Sequence, residues 1–194
     1  MAAGLRSDAR ASVARIVDAA RRVFASGDGT GTLDRIAQEA GVGIATLYRH
    51  FPNRQLLARA VYDRILVSEV EPLLAEFGRS DAPRSVLLDV AERLADIADR
   101  ERGLVAALGN LPKVTREFLD RHGDIFAPVL VRGQAAGNLR PDMVAADIPN
   151  ILAMAVAGLG ALVNDGATRR RYLSLILDAL NPAQAAALPE AGRA

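Results

Sequence analysis

TLDRIAQEAGVGIATLYRHF, residues 32–51, is the stretch whose reading decides the fold. Leu33, Ile36, Ala37 and Ala40 recur at helical spacing and Gly41 interrupts them. Val42, Ala45, Leu47 and Phe51 then supply apolar anchors for a second short helix over 44–50. A glycine at a helix end relieves the left-handed backbone that a sharp turn needs, and two short helices about such a turn form a helix-turn-helix. Thr32 is suited to cap the first helix, with Asp34 favourable to its dipole. The second helix shows solvent Thr46, Tyr48, Arg49 and His50, all donors to phosphates or base edges. Pro52-Asn53-Arg54 follows at once, with Asn53 a good cap for a further helix whose free N–H groups attract phosphate. An ordinary helical hairpin packed on a core accounts for the glycine but not for this density of donors. The pattern therefore points to DNA.

Composition bounds the alternatives. At 194 residues, 51% hydrophobic and 24% charged, the chain suits one domain or two small ones with a sizeable core. The net charge of +1 conceals an asymmetry: residues 1–54 hold eight Arg against five acids, and the remainder sixteen basic against eighteen acidic residues. A basic head on a faintly acidic body fits a DNA reader whose other part binds something else. With no cysteine, disulfides, thiol redox sensing and cysteine-based zinc sites are excluded. Two histidines, His50 and His122, leave no histidine-rich metal site, so neither metal nor cofactor is expected. Residues 1–15 lack a signal-peptide core, and the apolar stretch 148–163 contains Pro149 and Asn150 and is too short to span a bilayer. The expected location is the cytoplasm, with no membrane partner.

Residues from Ala9 to about Ile65 resemble the DNA-binding head of the TetR/AcrR family of bacterial transcriptional repressors. The matching words are IVDAARRVFAS (16–26), TLDRIAQEAGV (32–42) and TLYRHFPNRQLL (46–57). The resemblance implies an all-α fold: a three-helix head carrying the helix-turn-helix, and a larger C-terminal domain that dimerises and binds a small effector. On that basis residues 1–66 form the DNA-binding domain, 67–182 the regulatory and dimerisation domain, and 183–194 a flexible tail. The expected DNA contacts are Thr32, Gly43, Ile44, Ala45, Thr46, Tyr48, Arg49, His50 and Arg54. Tyr48, His50 and Arg54 are assigned to phosphate, and Arg49 to bases or the phosphate beside them. Gly43 departs from the Ser or Thr usual in the family at that cap, so a phosphate-gripping hydroxyl is missing. Ile44 and Ala45 offer only apolar surface, suited to a thymine methyl.

Around this head the periodicity gives helices over 10–25, 54–77 with a bend near Pro72, 84–100, 104–108, 113–133, 146–164 and 168–180. By resemblance, the helix over 54–77 links head to effector domain. Arg6 and Arg10 read either as a solvated face or as a flexible basic arm reaching DNA. The glycine-rich loop 26–31 has neither EF-hand ligands nor a GxGxxG order, so it reads as a loop. The helix over 146–164 is apolar almost all round, with Ala153, Ala157, Gly158, Gly160 and Ala161. Such a helix needs burial on every side. With Tyr172, Leu173, Ile176 and Leu180 it reads as a homodimer seam, the alternative being an intrachain core helix. His122, Phe126, Asn150 and Met154 are the candidate ligand-binding residues, in a mainly apolar pocket for an uncharged, hydrophobic or aromatic effector. The alternative for His122 is a hydrogen-bonded core residue.

The expectation is a DNA-binding regulator, a homodimeric repressor that releases a palindromic operator when a small molecule binds. The alternatives are a regulator without an effector or one acting as an activator. A helical enzyme or lipid carrier is a third reading, but no GxSxG, P-loop, cysteine nucleophile or His–carboxylate motif is present, so the chain is not expected to be an enzyme.

Overall fold

The computed structural model describes residues 2–26, 31–162, 165–178 and Leu188. Among these every regular element is helical. In chain order they are α1 (Ala2–Ala25), α2 (Leu33–Ala40), α3 (Ile44–His50), α4 (Arg54–Ile65), a π-helical turn (Leu66–Val70) and α5 (Glu71–Phe77). Then come α6 (Arg84–Arg100), α7 (Arg102–Leu108), α8 (Leu111–Arg121), a 3-10 turn (Gly123–Ile125), α9 (Phe126–Ala135), α10 (Asp147–Leu162) and α11 (Gly166–Asp178). The chain forms two compact units: residues 1–68 with 100–111, and residues 69–99 with 112–194.

The first unit is built on α1. Ile16, Val17, Ala20, Val23 and Phe24 make one buried face, packed against α2 and α4. α1 begins at Ala2, so of the two readings of Arg6 and Arg10 the backbone there is helical rather than a flexible arm. α7 also belongs to this unit and packs on α1 and α4 through Leu104 and Leu108, both buried. Its N-cap residue Glu101 is 4% exposed. Arg21 of α1 meets the same Glu101 carboxylate oxygen with two nitrogens, Nε at 3.0 Å and Nη2 at 2.6 Å. Arg100 Nε lies 3.7 Å from that oxygen, while Glu101 Oε2 is buried with no hydrogen-bond partner. A carboxylate so buried is tolerable only with a cation beside it.

The helix expected over 54–77 is interrupted. Pro72 lacks an N–H and its ring crowds the carbonyl four residues back, which disfavours a regular α-helix through 66–71. The chain answers with the π-helical turn at Leu66–Val70, and α5 restarts with Pro72 in its first turn.

In the second unit α6 and α11 run antiparallel and are laced by charge. Arg84 Nε donates to Asp178 at 2.5 Å, Arg169 meets Asp96 and Asp99, and Arg170 meets Glu92. The Arg84 hydrogen bond holds the Asp178 carboxyl below the usual carboxylate range. Leu173 and Leu177 of α11 are buried. The turn after α5 is stitched to α9 and the loop beyond it: Arg132 Nε donates to Ser80 O at 3.0 Å, Arg132 Nη2 to Gly78 O, and Asn138 Nδ2 to Asp81 O at 2.9 Å. That closeness requires glycine at 133, where a Cβ would stand 2.7 Å from Leu139 Cδ1 and 3.1 Å from the Asp81 carbonyl oxygen. The single helix expected over 113–133 is also divided. Gly123 and the missing N–H of Pro128 weaken it, and the 3-10 turn at Gly123–Ile125 separates α8 from α9. The expected tail at 183–194, apart from Leu188, lies outside the described residues, as does Leu180.

Two stability predictions follow from these contacts. Arg21→Met should destabilise the protein by about 3 kcal/mol in urea unfolding by removing the hydrogen-bonded cation of Glu101 and leaving only Arg100, 3.7 Å away, beside a buried carboxylate. Adding Glu101→Leu should recover most of that loss; an unchanged single variant would show that Glu101 does not depend on Arg21. Gly133→Ala should cost roughly 1–3 kcal/mol through overpacking against Leu139 and Asp81. A melting temperature equal to the parent's would show that the corner relaxes freely.

Candidate nucleic-acid interface

The turn between α2 and α3 is fixed by local chemistry. Thr32 adopts an extended backbone, and its Oγ1 accepts the Arg35 N–H at 3.2 Å. At the far end Gly41 takes φ 64°, ψ 38°; its N–H reaches Gln38 O at 3.1 Å, and the Val42 N–H reaches Ala37 O at 3.0 Å. Only glycine adopts this left-handed conformation without a Cβ penalty. Gly43 then caps α3 with extended backbone and no side-chain hydrogen bond. Phe51 closes α3 and is buried, and Asn53 Oδ1 accepts the Leu56 N–H at 2.9 Å to start α4.

α3 has seven residues, of which Leu47, fully buried, is the inward anchor. Gly43, Ile44, Ala45, Tyr48 and Arg49 are exposed, with Thr46 and His50 half-buried. Ile44 at 37% and Tyr48 at 49% exposure are large apolar or amphipathic groups standing in water beside a guanidinium. The face that α3 turns outward thus combines a phenol, a guanidinium and a branched alkyl group, matched to phosphate, a base edge and a thymine methyl in turn. Thr32 is exposed too, and with its oxygen lone pair used by the cap its hydroxyl hydrogen remains a donor. Around this face, Arg22 Nε pairs with Glu39 at 2.6 Å and Arg64 Nη2 with Asp18 at 3.0 Å, joining α1 to α2 and to α4.

Arg54 departs from its expected role. Its Nη1 donates to the Gly31 carbonyl and its guanidinium carbon stands 5.0 Å from the Phe24 ring centroid, so the group is turned into the unit rather than outward. Nothing in the sequence linked Arg54 to Phe24, thirty positions earlier. A short helix beginning on an arginine reads equally as a phosphate site.

The four candidate ligand residues fall into two environments. His122 caps the 3-10 turn and is tied down: Nδ1 lies 2.9 Å from Phe118 O and Nε2 lies 3.2 Å from Glu71 Oε1. Its ring sits 4.3 Å from that of Phe118. Phe126 is 2% exposed. Asn150 and Met154, by contrast, are exposed on α10, Met154 at 66%. They are one turn apart and in line with exposed Gly158, a stripe facing away from the buried Ile148, Leu152 and Ala155. Tyr172 and Leu175 of α11 are also exposed, while Leu173 of the expected seam is directed into the unit's own core and Ile176 is intermediate. Side chains at Ala157, Gly160 and Ala161 fall outside the described residues. No described helix is long and apolar enough to cross a membrane, and no group of three or more potential metal ligands occurs among the described residues.

Comparison with known proteins agrees with this geometry. The model of the bacterial regulatory proteins of the tetR family matches residues 16–61. An HTH-type transcriptional regulator of Staphylococcus aureus (strain MRSA252) is 36% identical over 76 residues, a match spanning 37% of this chain and 40% of that protein. The crystal structure of a TetR transcription regulatory protein from Mycobacterium vanbaalenii is 32% identical, covers 81% of this chain and 97% of its own, and superposes with a TM-score of 0.54. RolR, solved in complex with resorcinol, shares the fold at 18% identity and a TM-score of 0.66, with 90% of each chain covered. The seven-residue helix anchored by Leu47 and held by a glycine turn lies within the matched residues 16–61, and a regulator covered over nearly its whole length is 32% identical. The chain belongs to the TetR family and is a DNA-binding transcriptional regulator, not an enzyme.

Proposed function

We propose that the protein is a cytoplasmic homodimeric repressor that binds a palindromic operator and is released by a small, uncharged aromatic or hydrophobic effector. The observation that carries the reading is the outward face of α3, where Ile44, Ala45, Tyr48 and Arg49 stand exposed around one buried anchor, Leu47. On DNA, Arg49 reads a base edge, Ile44 and Ala45 contact thymine methyls, and Thr32, Thr46, Tyr48 and His50 hold phosphates. Gly43 lets the backbone approach. A two-fold dimer sets two such helices roughly 34–36 Å apart, one turn of the duplex, which is why the operator is expected to be palindromic. The exposed stripe Asn150, Met154 and Gly158, with Tyr172 and Leu175 on the next helix, supports a dimer face. Exposed apolar groups such as Met154 and Leu175 are stabilised when a second copy covers them.

For the effector, RolR's complex with resorcinol gives a precedent of polarity within the same fold. His122 and Phe126 are the candidate contacts that remain inside the second unit, and an effector hydroxyl reaching His122 Nε2 would compete with Glu71. Asn150 and Met154 are better assigned to the dimer face. An effector that binds one head separation better than the other opposes DNA binding by that difference in affinity.

The test is binding to a duplex enriched from a randomised library by the wild-type protein, with and without small phenols. Binding by a dimer and release by a phenol support the proposal. Tight binding unaffected by any of them points to a regulator without such an effector. Arg49→Ala should lower affinity for the enriched duplex and relax the preferred base at one position, a discrimination of roughly 1–3 kcal/mol. Uniform weakening across sequences would place Arg49 on phosphate. Ile44→Ala, or uracil in place of a contacted thymine, should each reduce the enriched-to-random affinity ratio, and indifference to both would remove the methyl contact. Gly158→Glu should yield monomers by light scattering with weakened operator binding. A fully active dimer would move the seam elsewhere.

A further inference from the structure

Arg54 opens α4 directly after the connection from α3, and it is half-buried. Two contacts account for its guanidinium. Nη1 donates to Gly31 O. The guanidinium carbon lies over the ring of Phe24, which is 2% exposed, 5.0 Å from the ring centroid. Gly31 is buried beneath the same group: a Cβ there would sit 3.4 Å from Arg54 Nη2 and 3.3 Å from Val23 Cγ1. One side chain of α4 therefore touches the last turn of α1 and the residue just before the α2 cap, Thr32.

We infer that Arg54 is a positioning residue for DNA recognition, a staple that sets α3 through its flanking helices rather than a ligand for phosphate. The inference rests on the assignment of α3 as the DNA-reading helix. A helix of seven residues is too short to be stable by itself, so its angle is dictated by the elements on either side. The staple locks those elements to α1: α4 follows α3, and Gly31 precedes α2. A guanidinium suits the task because it presents a flat face to an aromatic ring and an N–H edge to a carbonyl at once, which an ammonium cannot do with the same geometry. Swinging the side chain outward to a phosphate would surrender these contacts.

The two roles separate by salt dependence. A residue that neutralises a phosphate contributes about one unit to the slope of log affinity against log salt and weakens all sequences alike. A positioning residue leaves that slope unchanged and acts on sequence preference. Binding of wild type, Arg54→Ala, Arg54→Lys and Phe24→Leu to the enriched duplex and to the unselected library would be measured over a range of salt. The expected result is an unchanged slope for Arg54→Ala and a roughly tenfold smaller enriched-to-random ratio, about the weight of one stacked, hydrogen-bonded cation. Phe24→Leu, at a residue buried away from any phosphate, should show the same signature, and combining it with Arg54→Ala should add little. Arg54→Lys should rescue only partly. If alanine at 54 prevents folding, Arg54→Gln, equally uncharged but able to reach Gly31 O, carries the slope test. A slope lowered by about one unit, equal losses on both DNAs, or full rescue by Arg54→Lys overturns the inference. Absence of DNA binding by wild type would instead remove the assignment of α3 on which it stands.

Discussion

The constraint on which the head depends is that α3, seven residues long, cannot hold itself in water. Nucleating a helix fixes several residues for one hydrogen bond, and α3 ends before propagation has offset that cost. Its stability is borrowed from burial: Leu47 is fully enclosed and Phe51 nearly so. The faces this leaves outward are then available for function, and they carry Tyr48, Arg49 and Ile44. The same economy explains the capping. Thr32 and Asn53 cap the starts of α2 and α4 with side-chain hydrogen bonds, and Gly41 and Gly43 supply the backbone conformations that join α2 to α3.

Charge plays two different parts in the two units. In the first, one carboxylate is taken almost wholly out of water at Glu101, with Arg21 meeting one of its oxygens through two nitrogens. Such a pair contributes little net stability against an apolar equivalent but severely penalises loss of either partner, so it specifies how α7 sits on α1. In the second, the Arg84–Asp178 and Arg170–Glu92 pairs between α6 and α11 are more exposed, and each is worth little alone. Their service is register: with Arg169 between Asp96 and Asp99, sliding α11 by one turn would unpair several charges at once.

The second unit also shows how a helix rich in apolar residues divides its duties. On α10 the face with Ile148, Leu152 and Ala155 is buried, and the opposite stripe through Asn150, Met154 and Gly158 is open. Pro149 does no harm because it falls in the first turn, where an N–H has no partner within the helix.

Much of this was legible before any coordinates. The helix-turn-helix follows from apolar spacing, one glycine and two caps, all local effects that act over four or five residues. The observed α2 and α3, and α6 at 84–100, agree with the periodicity for that reason. The resemblance across 9–65 named the family, and it did so because the words of the head lie close together in the chain. What tertiary structure alone decided involves partners far apart in sequence. Arg54 reads locally as a phosphate ligand and is turned inward by Phe24 and Gly31. Asn150 and Met154 share an apolar helix with core residues, yet only packing shows which side is covered. Glu101 and Arg21, eighty positions apart, show no pattern at all until α7 folds against α1. Sequence by itself determined the helix-turn-helix and that the head reads DNA, because hydrogen bonding and capping are local, whereas the breaks at 66–70 and 123–125 emerged only in the fold. Which side chains are covered by the protein's own core was settled only in three dimensions, because burial depends on neighbours that periodicity cannot name.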